Sequence, residues 1–310
     1  MIYTVTLNPS MDYVIKLDKL NYGSVNRVDE EHLYPGGKGI NVSIMLNELG
    51  YKSVSLGFIS GFTGKYIVNC MNERNLNCDF VEVANGFSRI NIKIKSNEET
   101  EVNGRGPNIT LENLQSLYDK IDSLNNGDIL VLAGSIPPSL DDKLYENIMK
   151  RLEDKNIKII VDATKNLLLN VLKYKPFLIK PNNHELEEMF DVKLNFIEDI
   201  AKYAMKLQDM GARNVLISMG KDGALLITEN KEVFLSNVPK GSVKNSVGAG
   251  DSMVGGFIAG YLNTNSYKEA LKLGAACGSA TAFSDDLATK EYIDSLINEI
   301  NVKNIILNIL

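Results

Sequence analysis

The feature that most constrains the fold is a repeated alternation of short apolar, β-branched runs with longer segments of helical periodicity. The apolar runs predict strands at residues 2–7, 54–59, 128–133, 157–161, 177–179, 214–218 and 223–227. Helical spacing predicts helices at residues 65–74, 110–124, 141–154, 165–172, 183–190 and 197–210, and two or three helices are expected to close the chain. Repeated strand–helix units predict an α/β fold with helices on both faces of a mostly parallel sheet. Ligands bind at the carboxyl ends of the strands in such a sheet.

The segment Arg89–Lys95 interrupts this alternation, because polar residues and isoleucines follow one another strictly. A strand with one polar and one apolar face is typical of an antiparallel sheet that has one face in water. The run Tyr13–Leu17 has a similar pattern. We therefore predict a small β-sheet lid formed by about residues 11–33 and 87–104, inserted in one α/β domain that spans residues 1–310.

Composition limits the partners and the chemistry. The net charge of −6 argues against nucleic acid or a membrane surface as a partner, so an anionic substrate needs a local basic cluster. The cysteines Cys70, Cys78 and Cys277 form no CxxC pair, which indicates reduced thiols in a cytoplasmic protein. His32 and His184 are the only histidines, too few for a histidine-based metal site or triad. The N-terminal stretch has no basic n-region, so no signal peptide is expected.

The stretch Asn245–Phe257, NSVGAGDSMVGGF, combines two glycines, an acid and the start of an apolar helical face. Gly248 and Gly250 let backbone amides approach a ligand closely. Unpaired amides and the positive end of the helix dipole make a helix start an anion site. Asp251 is then either an acid that the helix dipole favours, or the base that takes a proton from an attacking hydroxyl. The flanking glycines favour phosphate chemistry.

The common nucleotide loops are absent from the sequence. The nearest candidate for a GxxxxGK[ST] loop, around Gly64 and Lys65, lacks both the first glycine and the hydroxyl residue. Neither Gly37-Lys38-Gly39 nor Gly248-Ala249-Gly250 completes the GxGxxG dinucleotide fingerprint, and no GxSxG elbow is present. A dehydrogenase or a serine hydrolase is therefore disfavoured.

Two distant motifs, GGKGIN at residues 36–41 and SVGAGD at residues 246–251, resemble the PfkB branch of the ribokinase-like carbohydrate kinases. The stretches GSIP (134–137), KPNNHE (180–185) and SMGKDG (218–223) are similar to that family as well, so the resemblance runs from end to end. Within the branch, TLNPSMDYVI (6–15) and AFSDDLATKE (282–291) are most similar to the 1-phosphofructokinases, with the tagatose-6-phosphate kinases as near neighbours.

The resemblance implies a Rossmann-like (ribokinase-like) sheet with a β lid that contributes to a homodimer, and ATP and Mg²⁺ as cofactors. It makes Asp251 the catalytic base, and chemistry supports this role. A hydroxyl that attacks a loose phosphoryl-transfer transition state loses its proton late, so a weak, well-placed base suffices. The amides of Gly248, Ala249 and Gly250 are expected to stabilise the charge on the transferred group.

On the nucleotide side, the resemblance implies contacts at several residues: Lys180, Asn182, Ser218, Gly220, Gly223, Ser246, Gly248, Gly250 and Cys277. Asn182 and Glu185 form an N-x-x-E pair that suits Mg²⁺, through water. The alternative is a helix N-cap followed by a first-turn acid. Helix packing explains Cys277 as well as an adenine pocket does.

On the sugar side, Asp12 and Asn41 are expected to bind hydroxyls, and Gly37 accompanies them. Lys38, Arg89 and Arg105 are the candidate phosphate binders, with Ser135 as a helper. Lys38 is the strongest of them because glycines enclose it. An arginine on a wet strand is commonly surface, and Arg105 stands where the family tends to have a small residue or proline, so its role is open. Arg27 is a weaker candidate that would act across a dimer.

The sequence thus predicts an ATP- and Mg²⁺-dependent kinase that converts fructose 1-phosphate to fructose 1,6-bisphosphate. A tagatose-6-phosphate kinase or a 6-phosphofructokinase is the alternative within enzymes. A sugar-phosphate-binding regulator that has lost catalysis is the alternative from another class, and the intact GAGD loop disfavours it.

Overall fold

The computed structural model describes residues 1–306, apart from the side chain of Lys165. Within this range the strands are β1 (Ile2–Thr6), β2 (Ser10–Lys16), β3 (Glu30–Gly36), β4 (Ser53–Ser60), β5 (Asn77–Cys78), β6 (Val81–Val83), β7 (Arg89–Lys95), β8 (Glu99–Asn103), β9 (Ile129–Ala133), β10 (Lys158–Asp162), β11 (Leu178–Ile179), β12 (Asn214–Ser218), β13 (Ala224–Ile227), β14 (Val233–Ser236) and β15 (Val302–Asn304). The α-helices are α1 (Lys38–Glu48), α2 (Gly61–Glu73), α3 (Leu111–Asp122), α4 (Leu144–Arg151), α5 (Lys165–Val171), α6 (Asn183–Phe190), α7 (Ile197–Asp209), α8 (Ala249–Thr264), α9 (Tyr267–Ala282) and α10 (Lys290–Leu296).

The central sheet follows the order β15-β14-β13-β12-β11-β10-β9-β1-β4-β5, and β6 also pairs with β4. All pairs from β12 to β5 are parallel, as is the β4–β6 pair, whereas β12 to β15 pair antiparallel. The predicted mostly parallel sheet is confirmed. The predicted helical end of the chain is wrong in one respect, because the short strand β15 follows α10 and extends the sheet edge.

Helices cover both faces of this sheet, as predicted, because neighbouring strand residues point to opposite sides. In β9, Leu130 and Leu132 pack in one cluster with side chains of α3, α4 and α7. Ile129 and Val131 pack in the other cluster with side chains of α1, α8 and α9. Within residues 1–306, no helix is long and apolar enough to span a membrane.

A separate small sheet has the order β3-β2-β7-β8, in which β2 runs parallel to β7 and antiparallel to β3. The sequence did not predict β3, whose residues EEHLYPG show no apolar alternation. This strand ends at Gly36, so it leads directly into the glycine-rich start of α1.

The expectation that the polar face of β7 is in contact with water is wrong, because this face is the more buried of the two. Asn91 and Lys93 are buried at 6% and 8% exposure, whereas Ile90, Ile92 and Ile94 are half-buried on the other side. The polar side chains face the cleft between the two sheets, where they have charged partners. The half-buried isoleucines lie on the same face as the exposed Leu33 of β3 and Val102 of β8. We call this apolar surface the outer face of the small sheet.

Candidate active site

A cleft of about 1550 Å³ lies between the carboxyl ends of the central strands and the small sheet. It brings together most of the residues predicted from the sequence, namely Asp12, Gly37, Lys38, Asn41, Arg89, Lys180, Asn182, Glu185, Ser218, Gly220, Gly223, Ser246, Gly248, Ala249, Gly250 and Asp251. The motifs therefore converge on one site, although long stretches of chain separate them.

The start of α8 forms the anion-binding part of this cleft. Gly248 caps the helix in the left-handed region (φ 79°), a conformation that favours glycine. A Cβ on Gly250 would lie 3.1 Å from Lys180 Nζ, so the absence of a side chain there makes room for the ammonium group. The buried face of Val254, Phe257 and Ile258 fixes α8 in the core. Lys180 thus adds positive charge to the helix start. Of the three amides predicted there, that of Ala249 already donates to the carbonyl oxygen of Ser246 over 3.3 Å.

Asp251 lies in the first turn of α8 and is only 6% exposed. Burial and the nearby charge of Asp162 raise its pKa to about 6, although Lys38, Lys180 and a hydrogen bond from Asn41 oppose this shift. The hydrogen bond runs from Asn41 Nδ2 to Asp251 Oδ2 over 2.8 Å. A carboxyl with a pKa near 6 is ionised at neutral pH and is a stronger base than an ordinary aspartate. Asn41, expected to bind sugar hydroxyls, holds this carboxylate in place.

Asp162 is a site residue that the sequence reading missed. It ends β10, is 1% exposed, and its Oδ1 lies 3.2 Å from Lys38 Nζ and 3.5 Å from Lys180 Nζ. Burial raises its pKa, but the charges of Lys180 and Lys38 outweigh burial and hold the pKa below its ordinary value. Its Oδ2 is buried and has no hydrogen-bond partner among the described residues. Because Asp162 directly follows a predicted strand, the rule that found Asp12 would have found it too.

The sugar-side candidate Asp12 is surrounded by donors. Its Oδ1 accepts hydrogen bonds from Ser10 Oγ (2.6 Å) and Asn91 Nδ2 (3.0 Å). Its Oδ2 lies 3.1 Å from Lys93 Nζ. Neither Asn91 nor Lys93 was predicted from the sequence. The alternation of β7 indicated that they share a face, but it did not indicate that this face lines the cleft.

A small pocket of about 210 Å³ opens beside the cleft and brings Lys38, Arg89 and Ser135 together. The orientation of Arg89 is fixed by a hydrogen bond from its Nε to the carbonyl oxygen of Asn8 (2.9 Å). Three of the four predicted phosphate contacts therefore converge on a space of a few water volumes. We call this space the cationic pocket. Arg105 is exposed and lines neither the pocket nor the cleft, and Arg27 is exposed as well.

Asn182 and Glu185 form a reciprocal capping box at the start of α6. Asn182 Oδ1 accepts from the Glu185 amide, and Glu185 Oε2 accepts from the Asn182 amide, each over 2.8 Å. The structure thus gives the helix-capping alternative a geometric basis, while both side chains still line the cleft. Among residues 1–306, no three histidine, cysteine or acidic side chains are grouped for a metal ion.

Another part of the cleft wall is apolar and was only partly anticipated. It includes Val238 and Val243 from the loop after β14, and Ala275, Ala282 and Phe283 from α9 and its end. Cys277 does not line it. Its side chain is fully buried, and a Cβ on Gly256 of α8 would lie 2.7 Å from its sulfur. The neighbouring Gly278 lines the cleft instead, because successive residues of a helix face directions about 100° apart.

Comparison with known proteins agrees with this architecture. Residues 5–291 match the profile of the pfkB family carbohydrate kinases. The chain is 47% identical over 302 residues to a 1-phosphofructokinase of Bacillus subtilis, covering 97% of this chain and 99% of that protein. It is 38% identical to a D-tagatose-1-phosphate kinase of Bacillus licheniformis, covering 98% and 100% of the two chains.

The crystal structure of phosphofructokinase-2 from Escherichia coli in complex with fructose-6-phosphate superimposes with a TM-score of 0.88 and 27% identity, covering 96% of this chain and 98% of that chain. The same enzyme has also been solved in a tetrameric inhibited form.

Proposed function

We propose that this chain, which belongs to the pfkB family of carbohydrate kinases, transfers the γ-phosphoryl group of ATP to the 6-hydroxyl of fructose 1-phosphate. One observation carries the choice of a phosphorylated acceptor: the cationic pocket and the cleft that holds Asp251 share Gly37, Lys38 and Arg89. A sugar phosphate bound in the pocket would extend its other end into the cleft. The name of the Bacillus subtilis relative supports the same substrate.

The groups around Asp251 can perform each part of the transfer. Asp251 accepts the proton of the acceptor hydroxyl as its oxygen bonds to the γ-phosphorus and the bond to the ADP oxygen breaks. The amides of Gly248 and Gly250 at the start of α8 and the ammonium of Lys180 stabilise the negative charge of the transferred group. Asn41 keeps the carboxylate of Asp251 oriented during the step.

ATP and Mg²⁺ fit the remaining wall of the cleft. The apolar stretch around Val238 and Phe283 suits an adenine ring, and Ser218, Gly220 and Gly223 line the same cleft. For Mg²⁺, the buried Asp162 Oδ2 without a partner and the carboxylate of Glu185 offer the hard oxygen donors that this ion prefers. When bound, Mg²⁺ neutralises charge on the nucleotide phosphates.

A substrate panel tests this proposal. ADP release is measured with ATP, Mg²⁺ and one of fructose 1-phosphate, fructose 6-phosphate, tagatose 6-phosphate, tagatose 1-phosphate or free fructose. The expected result is the highest kcat/KM with fructose 1-phosphate. A clear preference for a 6-phosphate would instead favour the tagatose-6-phosphate kinase or 6-phosphofructokinase alternatives. No ADP release with any sugar, together with tight sugar phosphate binding, would support a non-catalytic regulator.

We also propose that the small sheet acts as the lid of a single domain and pairs with the lid of a second copy. The outer face offers Leu33 at 45% and Val102 at 55% exposure beside the half-buried isoleucines of β7. Exposed apolar surfaces mark interaction sites, and a two-fold pairing of the same surface is the commonest assembly of soluble proteins. A cytoplasmic location is part of the proposal, since Cys70, Cys78 and Cys277 are all free thiols.

A further inference from the structure

Lys93 is an unusual lysine because its side chain is buried within a charged cleft. It stands in the middle of β7, is 8% exposed, and its ammonium lies 3.1 Å from Asp12 Oδ2. Lysines are rarely buried without a partner, so the pair with Asp12 explains how this one is tolerated. Nothing in the proton transfer or in the cationic pocket described above uses Lys93.

The position of Asp12 gives this pair a consequence for the substrate. Asp12 lines the cleft together with Lys38 and Arg89, and these two cations also line the cationic pocket. Arg89 is close enough to Asp12 for the carboxylate to raise its pKa, against the larger lowering by burial. A dianionic phosphate in the pocket would therefore have an aspartate as a near neighbour. Two like charges in a partly desolvated cleft repel each other more strongly than in water.

We propose that Lys93 is a specificity-determining residue, which neutralises Asp12 so that a carboxylate suited to sugar hydroxyls is compatible with a phosphorylated sugar. This inference rests on the proposed function and deepens it, because it assigns the tolerance of the phosphate to a residue outside the phosphate pocket. With Lys93 in place, Asp12 accepts hydroxyl groups without adding net charge. Without it, the phosphorylated acceptor is penalised more than an unphosphorylated one.

The chain offers a matched control in the same strand. Lys95 lies two residues along β7 on the same face, but within residues 1–306 it has no acidic partner in an ion pair. It lines a neighbouring pocket of about 830 Å³, which Asp12 and Lys93 also border, and not the cleft itself. Lys93→Met removes the charge and keeps most of the side-chain length, and Lys95→Met makes the same change outside the cleft. Lys93→Arg retains the charge, and the double variant Asp12→Asn with Lys93→Met removes both charges.

The measurement is kcat/KM for fructose 1-phosphate and for fructose in each variant, with ATP saturating. Lys93→Met is expected to lose about 30-fold or more with fructose 1-phosphate, mainly in KM, which is the lower range for breaking a buried charge pair. Its loss with fructose should be clearly smaller, because fructose brings no negative charge beside the unpaired Asp12. Lys93→Arg and Lys95→Met should retain the wild-type preference. The double variant should recover part of the preference, since no unpaired carboxylate remains to repel the phosphate.

Three outcomes would overturn the inference. Equal losses for both sugars in Lys93→Met would indicate a general structural defect. Partial unfolding cannot imitate a change in preference, because the ratio of kcat/KM for the two sugars in one sample does not depend on the folded fraction. An unchanged preference would show that the charge of Lys93 is irrelevant. A double variant no better than Lys93→Met would indicate direct contact with the phosphate. If the wild type turns over no phosphorylated ketohexose, the proposed function itself fails, which is a separate result.

Discussion

The side-chain amide of Asn41 donates a hydrogen bond to Asp251 Oδ2 over 2.8 Å and joins two residues that stand 210 positions apart. Asn41 lies in α1, which follows directly on the small sheet, and Asp251 lies in α8. The two glycine-rich motifs of the sequence are therefore parts of one site. The contact orients the carboxylate that we propose as the base, and it opposes the rise in the pKa of that carboxylate.

The pH dependence of the reaction should report the ionisation of Asp251. The base acts when deprotonated, and burial together with Asp162 raises its pKa to about 6. We expect kcat/KM to fall as the pH drops through about 6 and to level off above it with fructose 1-phosphate and with fructose alike. The comparison is needed because the phosphate of the sugar phosphate titrates near the same pH, whereas fructose carries none. Asp162→Asn removes one of the causes that raise this pKa, so the inflection should move to lower pH. Asp12→Asn is the control. This substitution should weaken sugar binding and so lower activity, but it should not move the inflection, because Asp12 is not among the groups that shift the pKa of Asp251.

An inflection that stays in place in Asp162→Asn would contradict the electrostatic coupling between the two carboxylates. If kcat/KM of the wild type fell only near the ordinary pKa of an aspartate, the claim that burial raises the pKa of Asp251 would be contradicted.

Lys38 should determine the preference for a phosphorylated acceptor. Replacing it with Met removes one cation from the cationic pocket, and we expect a loss of about 2–5 kcal/mol in binding of the phosphorylated sugar if the charge pair is buried. Lys38 also pairs with Asp162, so a general loss is expected as well. The ratio of kcat/KM for fructose 1-phosphate to that for fructose separates the two effects, since only the phosphate contact distinguishes the sugars. A variant that is less active but equally selective would count against the anchor.

The central sheet was predictable from the sequence because most of its strands are apolar, β-branched runs that alternate with helices. The strands that were missed are short or polar. Val233–Ser236 and Val302–Asn304 span four and three residues and owe their pairing to neighbours distant in the chain. The charged strand Glu30–Gly36 has no apolar face to reveal it. Tertiary context determines such strands.

The candidate site was predictable in its members but not in their partners. Residue chemistry marked Asn41 and Asp251 separately, and no local pattern indicates that one binds the other. Alternation in β7 separated two faces without indicating which one is turned to the cleft, so Asn91 and Lys93 were overlooked. Helical spacing could not distinguish Cys277 from Gly278, which are adjacent but point in different directions.

The outer face of the small sheet should mediate self-association. Ile92 pairs with Tyr13 and Val102 in the centre of this face, so Ile92→Lys places a charge where a second copy would pack. We expect this variant to sediment as a monomer and to have a higher KM for the sugar, because the lid loses its support. Leu111→Lys is the control, since Leu111 is 84% exposed at the start of α3, outside the small sheet. Monomeric wild-type protein at assay concentrations would contradict the proposed interface.

The most direct test is the turnover of fructose 1-phosphate by Asp251→Asn beside the wild type. The substitution keeps the size of the side chain and removes the base. We expect kcat to fall by roughly 10²- to 10⁴-fold, the usual contribution of a general base, while KM for ATP changes little because the amides of the helix start remain. A kcat near that of the wild type would contradict the role of Asp251 as the base.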